Sequence, residues 1–122
     1  EFFKFPLKYF FQIFGSIPVD NTKEYIDYVA GLFNNSTELH IVLSPEGHLA
    51  KVTRWKKGYY YMANRANVPI IVGYIDYRKK EIGIKKVICN PTDISIVRKE
   101  IAELYSDVCA KYPENFSHEL KV

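Results

Sequence analysis

Residues 44–57 of this 122-residue chain place an acidic turn directly ahead of a run of cations: Ser44-Pro45-Glu46-Gly47-His48, then Lys51, Arg54, Lys56 and Lys57. Pro45 fixes one backbone angle, and Gly47 permits a positive φ or a close approach. Glu46 is thereby held with little freedom. A rigid carboxylate can orient hydroxyl groups or hold a neighbouring Arg or Lys; the same residue in a solvated turn would do neither. A histidine at position 48 could serve as a base near neutral pH, taking a proton from a hydroxyl. As a lone turn histidine it would serve equally as a hydrogen-bonding or substrate-contact residue. The cations suit a phosphate or an anionic headgroup. They are also what a solvated helix face carries when its apolar residue, here Trp55, points inward.

Several other chemistries lack their motifs. The sequence has no Gly-x-Ser-x-Gly, no Gly-rich phosphate loop, no His-Glu-x-x-His and no dinucleotide fingerprint. Cys89 and Cys109 are far apart and form neither a Cys-x-x-Cys nor a zinc spacing, so free thiols and no metal are expected. A net charge of +3, with both signs mixed along the chain, gives no clustered basic face for nucleic acid. It is compatible with an anionic substrate or an anionic membrane surface. His40 falls in an apolar run, where a structural role is expected, and His118 lies in the polar tail.

These residues need elements to position them. At 48% hydrophobic, the chain suits one domain with one core. Pro6 opens a helix carrying Phe10, Phe11, Ile13 and Phe14, which Gly15 ends. Such a helix is buried, lies against lipid or covers a partner. Residues 16–19 predict a short strand. Tyr25, Ile26, Val29, Leu32 and Phe33 recur at helical spacing, with Asn21 and Glu24 as a capping box and Asn34-Asn35 as the stop. Residues 38–44 predict a strand buried on both faces, because Ile41, Val42 and Leu43 run together. Residues 53–66 predict a helix with Trp55, Tyr59, Met62 and Ala66 on one stripe. Residues 68–77 and 81–89 predict two strands joined in a hairpin through Arg78-Lys79-Lys80. A long helix over 94–112, capped by Thr92 or Asp93, closes the order.

Helices alternating with strands predict an α/β fold with a central, largely parallel or mixed sheet flanked by helices. Ligands in such sheets sit beyond the carboxyl ends of strands. Val19-Asp20 and the Ser-Pro-Glu-Gly turn both fall at such ends, so they are expected to share a site.

Taken together and in order, residues 1–21, residues 43–77, Trp55, Lys57-Gly58 and Val68-Pro69-Ile70 resemble the glycerolipid acyltransferases of the 1-acyl-glycerol-3-phosphate type. The resemblance covers residues 1 to about 84. It implies a glycerol-3-phosphate acyltransferase-like fold and an O-acyltransferase of phospholipid biosynthesis. In that family a His-X4-Asp pair acts as general base on the acceptor hydroxyl, which attacks the thioester of acyl-CoA or acyl-carrier protein. No resident cofactor is implied, and the acyl thioester is a co-substrate. The implied acceptor-binding residues are Asp20, Asn21, Glu46, Gly47, His48, Lys51 and Arg54. Val68 and Pro69 would lie on the acyl-donor side. The implied setting is cytoplasmic, peripheral to the cytoplasmic face of a membrane.

The chain departs from the family in three places. None of its histidines begins a His-X4-Asp: five residues after His40 stands Pro45, and five after His48 stands Thr53. Residues 1–122 are therefore expected to form a single partial domain, the acceptor-binding C-terminal part of an N-terminally truncated enzyme, inactive alone. Such truncation is expected to bare apolar surface, so that the chain either self-associates or covers the gap with its Phe-rich helix. Asn21 and Leu49 stand where the family carries arginines that hold phosphate, and neither replaces a bidentate guanidinium. These two positions leave open a non-phosphate acceptor such as an N-acyl amino acid, or a non-catalytic descendant that binds membranes or a partner.

Overall fold

The computed structural model describes residues 22–47 and 51–116. Within them the chain is mixed α/β: helix α1 (Lys23–Asn34), helix α2 (Gly58–Ala66), strand β1 (Ile70–Asp76), strand β2 (Glu81–Ile88) and helix α3 (Ile94–Leu104), then a 3₁₀ turn over Pro113–Asn115. The expected opening helix, the strand at 16–19 and His118 lie outside the described residues.

Two of the three helices, α1 and α3, begin where a side chain accepts from their first amides. Thr22 caps α1, its Oγ1 accepting from the Tyr25 N–H at 3.3 Å. The cap is thus one residue beyond Asn21, and Glu24 is not the reciprocal residue of a capping box. Asp93 caps α3, one carboxylate oxygen accepting from Ser95 at 2.7 Å and from Ile96 at 3.3 Å. A side-chain cap of this kind contributes about 1 kcal/mol. α3 is shorter than its apolar periodicity suggests: it stops at Leu104, and the Ser106 hydroxyl donates to the Glu103 carbonyl, turning the chain.

β1 and β2 form a two-stranded antiparallel hairpin, with Ile70 opposite Ile88 and Asp76 opposite Glu81. The turn through Arg78-Lys79-Lys80 is where the sequence places it, with Lys80 at φ +57. A bulge between Val72 and Gly73 on one strand and Lys86 and Ile84 on the other leaves Lys85 as the extra residue. Gly83 faces Tyr74, whose ring a Cβ there would meet at 3.0 Å. Lys85 Nζ stands 5.1 Å from that ring's centroid.

Among the described residues the sheet is this antiparallel pair and not the expected largely parallel one. Residues 38–44 form no strand there, and Val42 is 96% exposed. His40 is exposed as well, not a buried structural histidine. Three apolar residues in a row supply too little burial to hold a strand that no neighbour pairs with.

One face of the hairpin and α3 enclose the core, where Trp55, Tyr60, Val72, Ile88, Val97 and Ile101 are all buried. Burying an aliphatic side chain such as Val97 or Ile101 stabilises by about 1.5–3 kcal/mol. Two tyrosine hydroxyls tie the parts together: Tyr60 donates to the Thr92 carbonyl at 2.9 Å, and Tyr105 donates to the Gly73 carbonyl beside the bulge. α1 packs on α2, burying Val29 and Ala30 where Met62 and Ala63 are also buried. An exposed Arg65–Asp27 ion pair at 2.7 Å joins the same two helices. The two cysteines are not disulfide-bonded.

Candidate functional site

The acidic turn closes on itself and then onto the basic segment. The Gly47 N–H donates to the Ser44 carbonyl at 3.2 Å, completing a four-residue turn around Pro45 and Glu46. Gly47 takes φ +67, the left-handed conformation that glycine adopts without steric cost. The Lys56 N–H donates to the Pro45 carbonyl at 2.8 Å. Lys56 then lays its side chain over Gly47: a Cβ on Gly47 would stand 3.1 Å from Lys56 Cε and 3.6 Å from Nζ. The Lys56 side chain thus covers the residue that follows the half-buried Glu46.

This arrangement corrects the expected helix over 53–66. The Lys56 amide is committed to the turn and cannot enter a helix starting earlier. α2 begins at Gly58, behind Lys57, which makes no side-chain cap. Arg54 and Lys57 thus do not project from one helical face. Lys51, Arg54, Lys56 and Lys57 are all exposed on the segment leading into α2, while Trp55 between them is buried in the core. Alternating outward cations with an inward Trp is how this segment is pinned without being a helix.

Among the residues singled out from the sequence, Glu46, Gly47, Lys51 and Arg54 are described and lie on this turn and segment. Asp20, Asn21 and His48 lie outside the described residues. Lys56, named among the cations of this segment but not among the implied acceptor-binding residues, is the one that touches the turn. Its signal in the sequence is a glycine needing room beside a long flexible side chain, and spacing alone does not reveal it.

Val68 and Pro69 occupy a different place. Asn67 ends α2 in the left-handed conformation, φ +54. The Asn67 N–H donates to the Asn64 carbonyl at 3.2 Å, and the Val68 N–H donates to that of Ala63 at 3.0 Å. These two bonds make a Schellman motif, which Pro69 follows because it cannot continue a helix. A cleft of about 120 Å³ lies between Ala63, Asn64, Asn67 and Val68 on one side and Asn90, Pro91 and Thr92 on the other. That is well under the roughly 300–1,000 Å³ of sites that enclose drug-sized ligands. As described, Val68 and Pro69 serve to stop a helix.

Among the described residues no group of His, Cys, Asp and Glu is arranged to hold a metal ion, and no helix is long and apolar enough to cross a membrane. The chain matches no known protein family, no characterised protein and no solved structure.

Gly47 offers a direct probe of the turn. Replacing it with Ala is expected to cost about 1–2 kcal/mol, because a Cβ disfavours the left-handed conformation, with an added penalty from crowding Lys56. Chemical denaturation of Gly47→Ala, Lys56→Ala and the double variant separates the two parts. Removing Lys56 should restore the steric share of the loss and leave the backbone share.

Proposed function

We propose that this chain is the acceptor-binding part of a lipid O-acyltransferase similar to the 1-acyl-glycerol-3-phosphate family. The observation that carries the reading is the docking of the Pro45-Glu46-Gly47 turn onto the basic segment through Lys56. It joins the turn that carries Glu46, whose carboxylate can orient a hydroxyl, to the segment that carries Lys56, whose ammonium can meet a phosphate or carboxylate. Arg54 and Lys51 add positive charge on the same exposed segment. In this reading the acceptor's polar head lies across the turn, and the acyl thioester of CoA or carrier protein supplies the acyl group. The general base comes from a His-X4-Asp pair, which these residues do not contain. The work is done at the cytoplasmic face of a membrane, on a lysophospholipid-like acceptor.

Asn21 and Leu49, in place of the family's arginines, support a variant of the same reading in which the acceptor carries no phosphate. The experiment is calorimetric titration of the chain with a short-chain lysophosphatidate below its micelle concentration, and with an N-acyl amino acid and a monoacylglycerol in parallel. Binding of lysophosphatidate, weakened at least several-fold by Lys56→Ala and by Arg54→Ala, is the expected result. Preference for the N-acyl amino acid, with the same two losses, moves the acceptor to the non-phosphate class. Folded protein that binds none of the three overturns the acceptor-site reading in favour of a non-catalytic descendant. Thiol release from acyl-CoA by this chain alone should be nil; any release overturns the assignment of the base to sequence outside it.

A further inference from the structure

The hairpin has a second face, turned away from the core. Along β1 the residues on it are Ile71, Gly73 and Ile75; their partners across the ladder are Val87, Ile84 and Ile82. Each of the five aliphatic side chains is about half exposed or more, Ile82 reaching 79% and Ile84 65%. Among the described residues no charged side chain stands between these five along the ladder. An open groove of about 350 Å³ lies at its turn end, bordered by Ile75, Tyr77 and Ile82 together with Asp76, Lys80 and Glu81.

Apart from Lys80 at the turn, the nearby cations are engaged elsewhere. Lys86 pairs with Glu100 on α3, Lys85 pairs with Asp107 at 2.5 Å, and Lys79 reaches the same carboxylate at 3.6 Å. Arg78 donates to the Asp107 carbonyl at 3.5 Å. A sheet face that engages an anionic bilayer would turn such cations toward the headgroups. It would also leave the open edges of a two-stranded ladder facing lipid, where backbone groups find no partner. Neither feature suits lipid.

We infer that this face is where two copies of the chain associate, hairpin packed on hairpin. Two aliphatic sheet faces stack about 10 Å apart by interdigitating their side chains. A face that is aliphatic along the ladder, with Lys80 and Glu81 of opposite sign at its turn end, can meet its own copy without opposing like charges, the condition for a two-fold, self-complementary contact. The area sets the strength. A monomer's largest apolar patch is roughly 300–600 Å², whereas a standard interface takes about 800 Å² from each partner. Five aliphatic side chains are far fewer than the roughly 20–30 residues a side of a standard interface, so the dimer is weak and concentration-dependent. This inference does not rest on the proposed acyltransferase function.

Sedimentation equilibrium on the full 122-residue chain, without detergent and across a hundredfold concentration range, tests it. The wild type should shift from monomer to dimer. Ile82→Lys and Ile84→Lys should each remain monomeric with unchanged far-ultraviolet circular dichroism, because both side chains are exposed in the monomer. Val42→Lys, on the extended segment away from the hairpin, should dimerise as the wild type does. A wild type monomeric throughout overturns the inference, as does association that survives both hairpin substitutions. Co-sedimentation with vesicles of phosphatidylcholine and phosphatidylserine forms a second arm: a monomeric wild type that binds vesicles through Ile82 and Ile84 overturns it in favour of a lipid surface.

Discussion

Replacing Trp55 with Ala is expected to remove about 3–5 kcal/mol of stability, from a native state worth only about 5–15 kcal/mol in total. Trp55 is 4% exposed and belongs to the same buried cluster as Val72, Ile88, Val97 and Ile101. Its ring meets Tyr105 edge to face, centroids 5.8 Å apart at 74°. Alanine leaves a cavity that the hairpin and α3 can close only by shifting together, and Tyr105 is restrained by its bond to the Gly73 carbonyl. The loss reaches the site as well, because Trp55 anchors the segment whose next residue, Lys56, holds the acidic turn. Urea denaturation followed by circular dichroism is the measurement, since Trp55 is the chain's one tryptophan and its fluorescence disappears with it. A midpoint shift under a third of that expected, with an unchanged slope, would show that the cluster does not depend on it.

The second large effect belongs to Asp76, which is 1% exposed at the end of β1. One carboxylate oxygen accepts from the Lys79 N–H at 2.8 Å and the other from the Cys109 N–H at 3.2 Å. The residue therefore closes the hairpin turn and fastens the chain beyond α3, where the Tyr77 N–H also donates to the Cys109 carbonyl at 2.8 Å. The Lys79 backbone bond is the largest influence holding its carboxyl below the ordinary value of 3.8, against an opposing desolvation. A depressed folded pKa means that the stabilisation is complete above the ordinary value and fades as pH falls through it toward the folded one. Asp76→Asn keeps the shape but offers one acceptor where two are needed, and turns an N–H₂ toward an N–H. The variant should therefore melt well below the wild type at pH 7, and the gap should narrow steadily below pH 3.8. Thermal melts between pH 2 and pH 7 measure this. Asp107→Asn is the comparison. Its carboxyl is also lowered, chiefly by the Lys85 hydrogen bond, but it is exposed and screened, so its effect should be smaller and salt-dependent. A gap for Asp76→Asn that stayed constant with pH would remove the carboxylate from the account.

Legibility in the sequence followed the range of the forces involved. The hairpin turn at Arg78-Lys79-Lys80, the Asp93 cap and the Asn35 stop are set by neighbours a few residues away, and all stand where the sequence puts them. The strand expected at 38–44 depended on a distant partner, and an apolar run carries no information about whether one exists. The start of α2 depended on a carbonyl eleven residues back, Pro45, taking the Lys56 amide. For the site, the sequence located the turn and the cations but not which cation meets the turn. That choice is made by the left-handed backbone at Gly47 and the reach of one lysine.

α1 packs chiefly on α2, through Val29 and Ala30, and the core cluster does not include it. The segment that leaves it carries Val42 almost fully in solvent. Such an element can detach without the core opening, so its amides should exchange with solvent at a lower free energy than those of β1 or α3. The acidic turn sits beyond that segment yet is bonded to the residue after Trp55. Among the described residues, exchange should therefore separate α1 from the elements beyond Ser44, and the turn should be protected together with the later ones.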